Sequence, residues 1–250
     1  MQLSVVPLHA GDLVVDKSLM TPRRDFGVKV KAPSVIWYID GSNKKILVDT
    51  SFKDARASSK MHAPFVVERG PEQEIVRILG KIGVKPEEID IVILTHLHWD
   101  HSQNNDLFKN AECIIQREEL RYAIAPLPPH RGQYEALTAG MRPGWLDTPK
   151  VSMIDGDREI ADGVSVICTP GHTPGFQSVV VQTQKGRIVI AADTVNTYEN
   201  WGSSKLGTHL PGGIYVNLEH YWQSLEKIER IADIVLPGHD AAVFKKDRYP

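Results

Sequence analysis

The chain has 250 residues, 42% hydrophobic and 24% charged, and its 29 basic and 31 acidic residues leave a formal charge of −2. That balance argues against an extended electrostatic footprint for nucleic acid, and no apolar run approaches the ~20 residues that span a bilayer. The cysteines Cys113 and Cys168 make no disulfide framework, and "MQLSVVPLHAGDLVVDKS" lacks the basic and long apolar regions of a signal peptide, so a reduced, cytoplasmic setting is expected.

In chain order, residues 13–33 and 51–70 read as long irregular loops with scattered charges and Pro22, Pro33 and Pro64. Between them, "SVIWYID" (34–40) and "KKILVDT" (44–50) flank the turn "GSN" as a hairpin. Ile75, Ile78, Leu79 and Ile82 at helical spacing behind Pro71 predict an amphipathic helix over 71–84. The short apolar run 89–94 predicts a buried strand, 111–116 another, and 117–125 a helix stopped by Pro126. Residues 126–150, with five prolines and several aromatics, break this rhythm and read as a lid or insertion. Strands resume at 151–155, 164–169, 176–183 and 186–193. A second helix is predicted over 217–231, with Leu218, Tyr221, Trp222, Leu225, Ile228 and Ile231 on one stripe, and a last strand over 232–239. Strands and helices recurring in both halves point to an α/β layered sandwich, expected as one domain over 1–250.

Four polar clusters each follow a strand-like run: His96, His98, Asp100 and His101 in "THLHWDH", His172 in "CTPGHTPG", Asp193 in "IVIAADT" and His239 in "VLPGHD". A lone histidine at a strand end is more often structural than a ligand, but four independently placed clusters of imidazole and carboxylate make a ligand set for zinc, manganese or iron. His96, His98 and His172 can serve one ion and Asp100, His101 and His239 a second, with Asp193 able to bridge them. In an extended loop His96 and His98 project to one side, and a helix beginning near Asp100 turns that residue and His101 to the other. Gly171 and Gly238 allow sharp turns beside His172 and His239, and Pro170 and Pro237 stiffen them.

"THLHWDH", "TPGHTPG", "AADT" and "PGHD", in this order, closely resemble the metallo-β-lactamase superfamily over about residues 34–245. The resemblance implies an αββα sandwich of two mixed sheets flanked by helices, with a dimetal site at one edge. It also implies two divalent ions, with zinc expected and iron, manganese or cobalt acceptable. His98 stands where flavodiiron proteins carry glutamate, and Asp193 where class B1 lactamases carry cysteine. The tracts 186–201, 210–228 and 232–240 look most similar to the N-acyl homoserine lactonase group, whose role is quorum quenching.

That similarity implies opening of a lactone ring by a metal-bridging hydroxide attacking the carbonyl, with Asp100 moving a proton. The alternative is another hydrolase on the same scaffold, pyridoxolactonase-like or acting on thioesters, amides or phosphotriesters. Those lactonases place a tyrosine three residues after the bridging aspartate. Here that position is Asn196, and the nearest tyrosine is Tyr198, so either can be the hydrogen-bond donor to the substrate. Asp49 stands where the family has an aspartate supporting the metals. Met20, Phe26, Phe65, Tyr134, Met141, Trp145, Trp201, His209 and Tyr215 are candidate pocket walls, whereas His9, His62, His130 and His220 read as surface or structural. The expected partner is a small-molecule substrate, with neither nucleic acid nor membrane, and a homodimer is expected on base rate.

Overall fold

The computed structural model describes residues 2–202 and 208–250. A long strand, β1 (Ser4–Asp16), pairs antiparallel with β2 (Lys29–Asp40), and the register shifts between His9 and Asp12. This corrects the expectation of an irregular 13–33: β1 runs on to Asp16, a short helix α1 (Lys17–Met20) follows, and β2 begins at Lys29. The register shift accommodates a glycine and one of those prolines. Gly11 has φ 125° inside the shift, and Pro33 pairs opposite Asp12 at its edge. Residues 51–70 likewise hold a helix α2 (Ala55–Met61), whose N-terminus is capped by the Asp54 carboxylate accepting from Ala57 N–H, and a short strand β4 (Val66–Glu68) added to β1.

The remaining elements follow the sequence reading closely. The first sheet continues through β3 (Ile46–Val48), β5 (Ile91–Ile93), β6 (Glu112–Gln116) and β7 (Val151–Ile154), in the order β4-β1-β2-β3-β5-β6-β7. From β3 to β7 the pairing is parallel. The second sheet holds β8 (Arg158–Ala161), β9 (Val164–Cys168), β10 (Gln177–Thr183), β11 (Gly186–Ala192) and β12 (Ile234–Pro237), in the order β12-β11-β10-β9-β8. Only β8 had no counterpart in the reading; its four residues are half-buried or exposed and give no apolar run.

Trp37, Ile39, Val48 and Ile93 from the first sheet pack with Val164, Val179, Ile190 and Leu236 from the second in one buried cluster. On the outer face of the first sheet, Ile75, Ile78 and Leu79 of α3 (Ile75–Lys81) join Leu8, Ile36, Leu47 and Val92, together with Ala123 of α5 (Arg117–Ile124). On the outer face of the second, Tyr221, Leu225 and Ile228 of α6 (Leu218–Ile231) cover Val180, Val189 and Val235. Both helical stripes follow the 3–4-residue apolar spacing of their sequences, and the result is four layers, αββα.

Residues 126–150 contain only short 3₁₀ turns, yet Tyr134 and Ala136 are buried in the first-sheet core, so this insertion is anchored. The chain leaves β5, β9, β11 and β12 at the same edge of the sandwich, and the four polar clusters follow those strand ends.

Candidate active site

The loop after β5 is shaped by one buried carboxylate. Asp49, itself at φ 60°, accepts from the Thr95 N–H and hydroxyl (both 2.8 Å) and from His101 Nδ1 (2.8 Å). The Thr95 proton is spent on Asp49, so its oxygen can accept from His96 Nδ1, 3.1 Å away. His98 is extended (φ −65°, ψ 152°) and starts a one-turn helix, α4 (Trp99–Ser102), which carries Asp100 and His101 round to the other side.

Each later histidine is oriented by a backbone carbonyl. His172 Nδ1–H donates to Ile214 C=O (2.8 Å) and His239 Nδ1–H to Pro33 C=O (2.9 Å). These contacts fix the tautomers, leaving Nε2 of His96, His101, His172 and His239 as the lone-pair nitrogens. His98 differs by turning Nδ1 inward, 3.1 Å from His172 Nε2.

The structure brings all seven predicted side chains together. Donor atoms of His96, His98 and His172 lie within 4.8 Å of one another, as do those of His96, His101 and Asp193, and those of Asp100, His101 and His239. Asp193 faces both halves. Its Oδ1 lies 3.2 Å from His101 Nε2 and 3.1 Å from His239 Nε2, and its Oδ2 lies 3.4 Å from His172 Nε2. Ala192, at φ 43°, turns the end of β11, and the Tyr221 hydroxyl donates to the Asp193 carbonyl (2.5 Å), which together aim the carboxylate inward.

The electrostatics are those of a cation site. Burial holds His96 and His98 well below the usual imidazole range, as neutral ligands require. Burial alone would lower His101 as well, but Asp193, Asp100 and Asp49 hold it well above. Burial would raise the Asp193 carboxyl, yet His239 and His101 hold it well below the usual carboxylate range. His96 Nε2, His101 Nε2 and Asp193 Oδ1 are buried polar atoms with no hydrogen-bond partner. Such orphans are costly inside a protein, and three of them converging on one spot fit a divalent ion.

The cluster opens into a cavity of about 510 Å³, counting the space that communicates with solvent. Its walls include Met20 and Phe65, as expected, together with Leu13, Val15, Leu19, Trp99 and Ile214, which the sequence reading did not select. Leu13 and Val15 were legible in principle, since they alternate along β1. Phe26 is 73% exposed, and Tyr134 is buried behind His98, ring centroids 4.8 Å apart. Met141, Trp145, Trp201, His209 and Tyr215 are likewise not among the lining residues; His209 stacks on Trp201 instead.

The two donor candidates also separate. Asn196 is buried and lines the cavity, while its carbonyl accepts from His239 N–H (2.8 Å). Tyr198 does not line it: its N–H donates to Asp240 (2.9 Å) and its phenol meets that of Tyr249.

Comparison with known proteins places this geometry. Residues 31–239 match the metallo-beta-lactamase superfamily model. The N-acyl homoserine lactonase AiiA of Bacillus thuringiensis subsp. kurstaki is 29% identical over 202 residues, covering 78% of this chain and 76% of that protein. A Bacillus cereus N-acyl homoserine lactonase is 30% identical over 200 residues, covering 77% and 76%. Among solved structures, a B. thuringiensis AiiA variant with N-decanoyl-L-homoserine bound at its active site superposes with a TM-score of 0.80 at 25% identity, covering 98% of this chain and 96% of that one. A structure of N-acyl homoserine lactone hydrolase with N-hexanoyl-L-homoserine at its catalytic metal centre matches equally, with a TM-score of 0.80 at 25% identity and the same coverage. Fold, motif spacing and converging donors together imply a divalent metal centre. The chain belongs to the metallo-beta-lactamase superfamily and is a metal-dependent hydrolase.

Proposed function

We propose that this enzyme opens the ring of a neutral lactone of the N-acyl homoserine lactone kind, with two divalent ions, zinc first among them. His96, His98 and His172 would hold one ion and Asp100, His101 and His239 the other, with Asp193 shared through its two oxygens. One observation carries the substrate reading. Among the described residues, and apart from the cluster's own side chains, the cavity wall contains no charged residue, only aliphatic and aromatic groups with Gln133 and Asn196. Such a wall suits an apolar acyl chain and offers no counter-charge to an ionic substrate. That related enzymes carry N-acyl homoserine products in their active sites supports the same choice.

When bound, two such ions would lower the pKa of water to about 7 and polarise a carbonyl. The protein does the rest. Asp100, half-buried at the cavity wall with Oδ2 3.7 Å from His101 Nε2 and 3.8 Å from His239 Nε2, can accept the proton of the attacking water and pass it to the departing ring oxygen. The Asn196 amide can donate to the carbonyl oxygen as charge develops there. Leu13, Val15, Leu19, Met20 and Phe65 exclude water and hold the acyl chain.

Ring opening followed by pH-stat on N-acyl homoserine lactones of increasing chain length, beside thioesters and p-nitrophenyl esters, tests this reading. Turnover of the lactones is the expected result. Hydrolysis of thioesters or p-nitrophenyl esters by metal-loaded protein that leaves every lactone intact would overturn it. In the same assay Asn196→Ala is expected to lower kcat about 100-fold with metal content unchanged, the usual cost of one oxyanion donor, whereas Tyr198→Phe keeps wild-type turnover. Phe65→Ala should raise KM about tenfold or more for long acyl chains and little for short ones, since a buried aromatic contact is worth roughly 1.5–3 kcal/mol.

A further inference from the structure

Glu119, in the first turn of α5, is a fully buried carboxylate. Its partners are hydrogen-bond donors from three separate segments. Oε1 accepts from Leu97 N–H (3.0 Å) and from the Tyr134 hydroxyl (2.9 Å), and Oε2 accepts from Gly175 N–H (3.1 Å). Leu97 lies between His96 and His98. Gly175 closes the turn that carries His172, and the ring of Tyr134 stands edge-on against His98, with centroids 4.8 Å apart and planes at 77°.

The glycine is fitted to this contact. A Cβ at Gly175 would run into the backbone nitrogen and Cα of Glu119, so only glycine lets α5 approach the "TPGHTPG" turn this closely. Packing does not ask for a charge here, since an apolar side chain of similar size would fill the space without the cost of desolvating a carboxylate. What it could not do is satisfy three buried donors at once. None of those donors lies on the segments that carry Asp193 or His239.

We infer that Glu119 is a positioning residue for the His96, His98 and His172 trio, setting the spacing of the two loops that bear these imidazoles and thereby the affinity of one cation site and not the other. The inference rests on the two-cation reading given above. Outer partners of metal-binding groups typically tune affinity by about 10–100-fold, and Glu119 acts one step further out, through the backbone of both loops and through Tyr134.

The test is zinc competition against a chromophoric chelator on the full-length, metal-stripped chain. Glu119→Gln keeps the shape but turns an amide N–H₂ toward groups that are themselves donors. It is expected to weaken one of two zinc equivalents by about 10–100-fold and to leave the other unchanged. Combined with His239→Ala, the same substitution should weaken the equivalent that remains; combined with His172→Ala, it should add nothing. If Glu119→Gln does not fold, Tyr134→Phe carries the test, since it removes one of the three donors and keeps the ring against His98. It should weaken the same equivalent by up to about tenfold. Equal weakening of both equivalents, or a lowered Tm with both affinities intact, would mean a merely structural role and overturn the inference. A wild-type chain that binds no zinc would overturn the two-cation reading and this inference with it. Wild-type uptake of two ions with both variants unchanged would overturn this inference alone.

Discussion

Asp193→Ala is expected to abolish measurable turnover and to strip the purified chain of at least one of its divalent ions. The carboxylate has Oδ1 within 3.2 Å of His101 and His239 Nε2 and Oδ2 within 3.4 Å of His172 Nε2, so removing it takes a donor from both halves of the cluster at once. It also removes the negative charge that would most directly offset the two proposed cations in a buried site. The loss should therefore exceed the ~100–1,000-fold penalty for a single oxyanion donor, because the source of activated water goes with it. Metal content and kcat measured on the same preparation check this. Full metal loading together with turnover within tenfold of wild type would contradict the assignment of Asp193 as the shared ligand.

The second large effect is a folding effect. Gly171 has φ 139°, a conformation that side-chain-bearing residues rarely adopt, and a Cβ there would collide with the backbone nitrogen and Cα of Tyr221 on α6. Both obstacles are backbone, so no rotamer change relieves them. The segment cannot easily retreat, because Gly171 C=O accepts from Val216 N–H (2.8 Å) and Asn217 N–H (3.1 Å), next to the cap of α6. Tyr221 in turn holds the Asp193 carbonyl. Gly171→Ala should accordingly cost about 3 kcal/mol or more, combining backbone strain of roughly 1–3 kcal/mol with overpacking of similar size. It should also displace both His172 and Asp193. Urea denaturation gives the first quantity and zinc stoichiometry the second. A stability loss below about 1 kcal/mol would show that the turn adapts where the geometry says it cannot.

Much of this molecule was legible in its sequence, and the reasons are local. Helices α3 and α6 announce themselves through apolar residues at helical spacing, and β5, β11 and β12 through short apolar runs that end at the polar clusters. Histidine and aspartate in such density at strand ends have few uses other than holding a cation. Strand β1 was not legible, because it is buried on both faces for much of its length and carries Pro7, Gly11 and Asp12, residue types that strands disfavour.

The pocket wall was the least legible part. It is assembled from β1, α1, the 62–65 turn and the segment around Ile214, and sequence distance says nothing about their meeting. A conspicuous aromatic is a poor guide to the wall, since Tyr134 serves instead to join Glu119 and His98. Glu119 itself carries no signature, since a glutamate in the first turn of a helix is ordinary. Only its three donors mark it out.

The proposed lactone opening requires that the donor cluster hold a pair of cations. Bound divalent metal per chain, measured before and after exhaustive chelation while ring opening is followed on the same samples, addresses this directly. The expected result is two equivalents at the start, loss of turnover in step with their removal, and recovery on adding zinc back. A chain that holds no metal and opens lactones at an undiminished rate after chelation would contradict it.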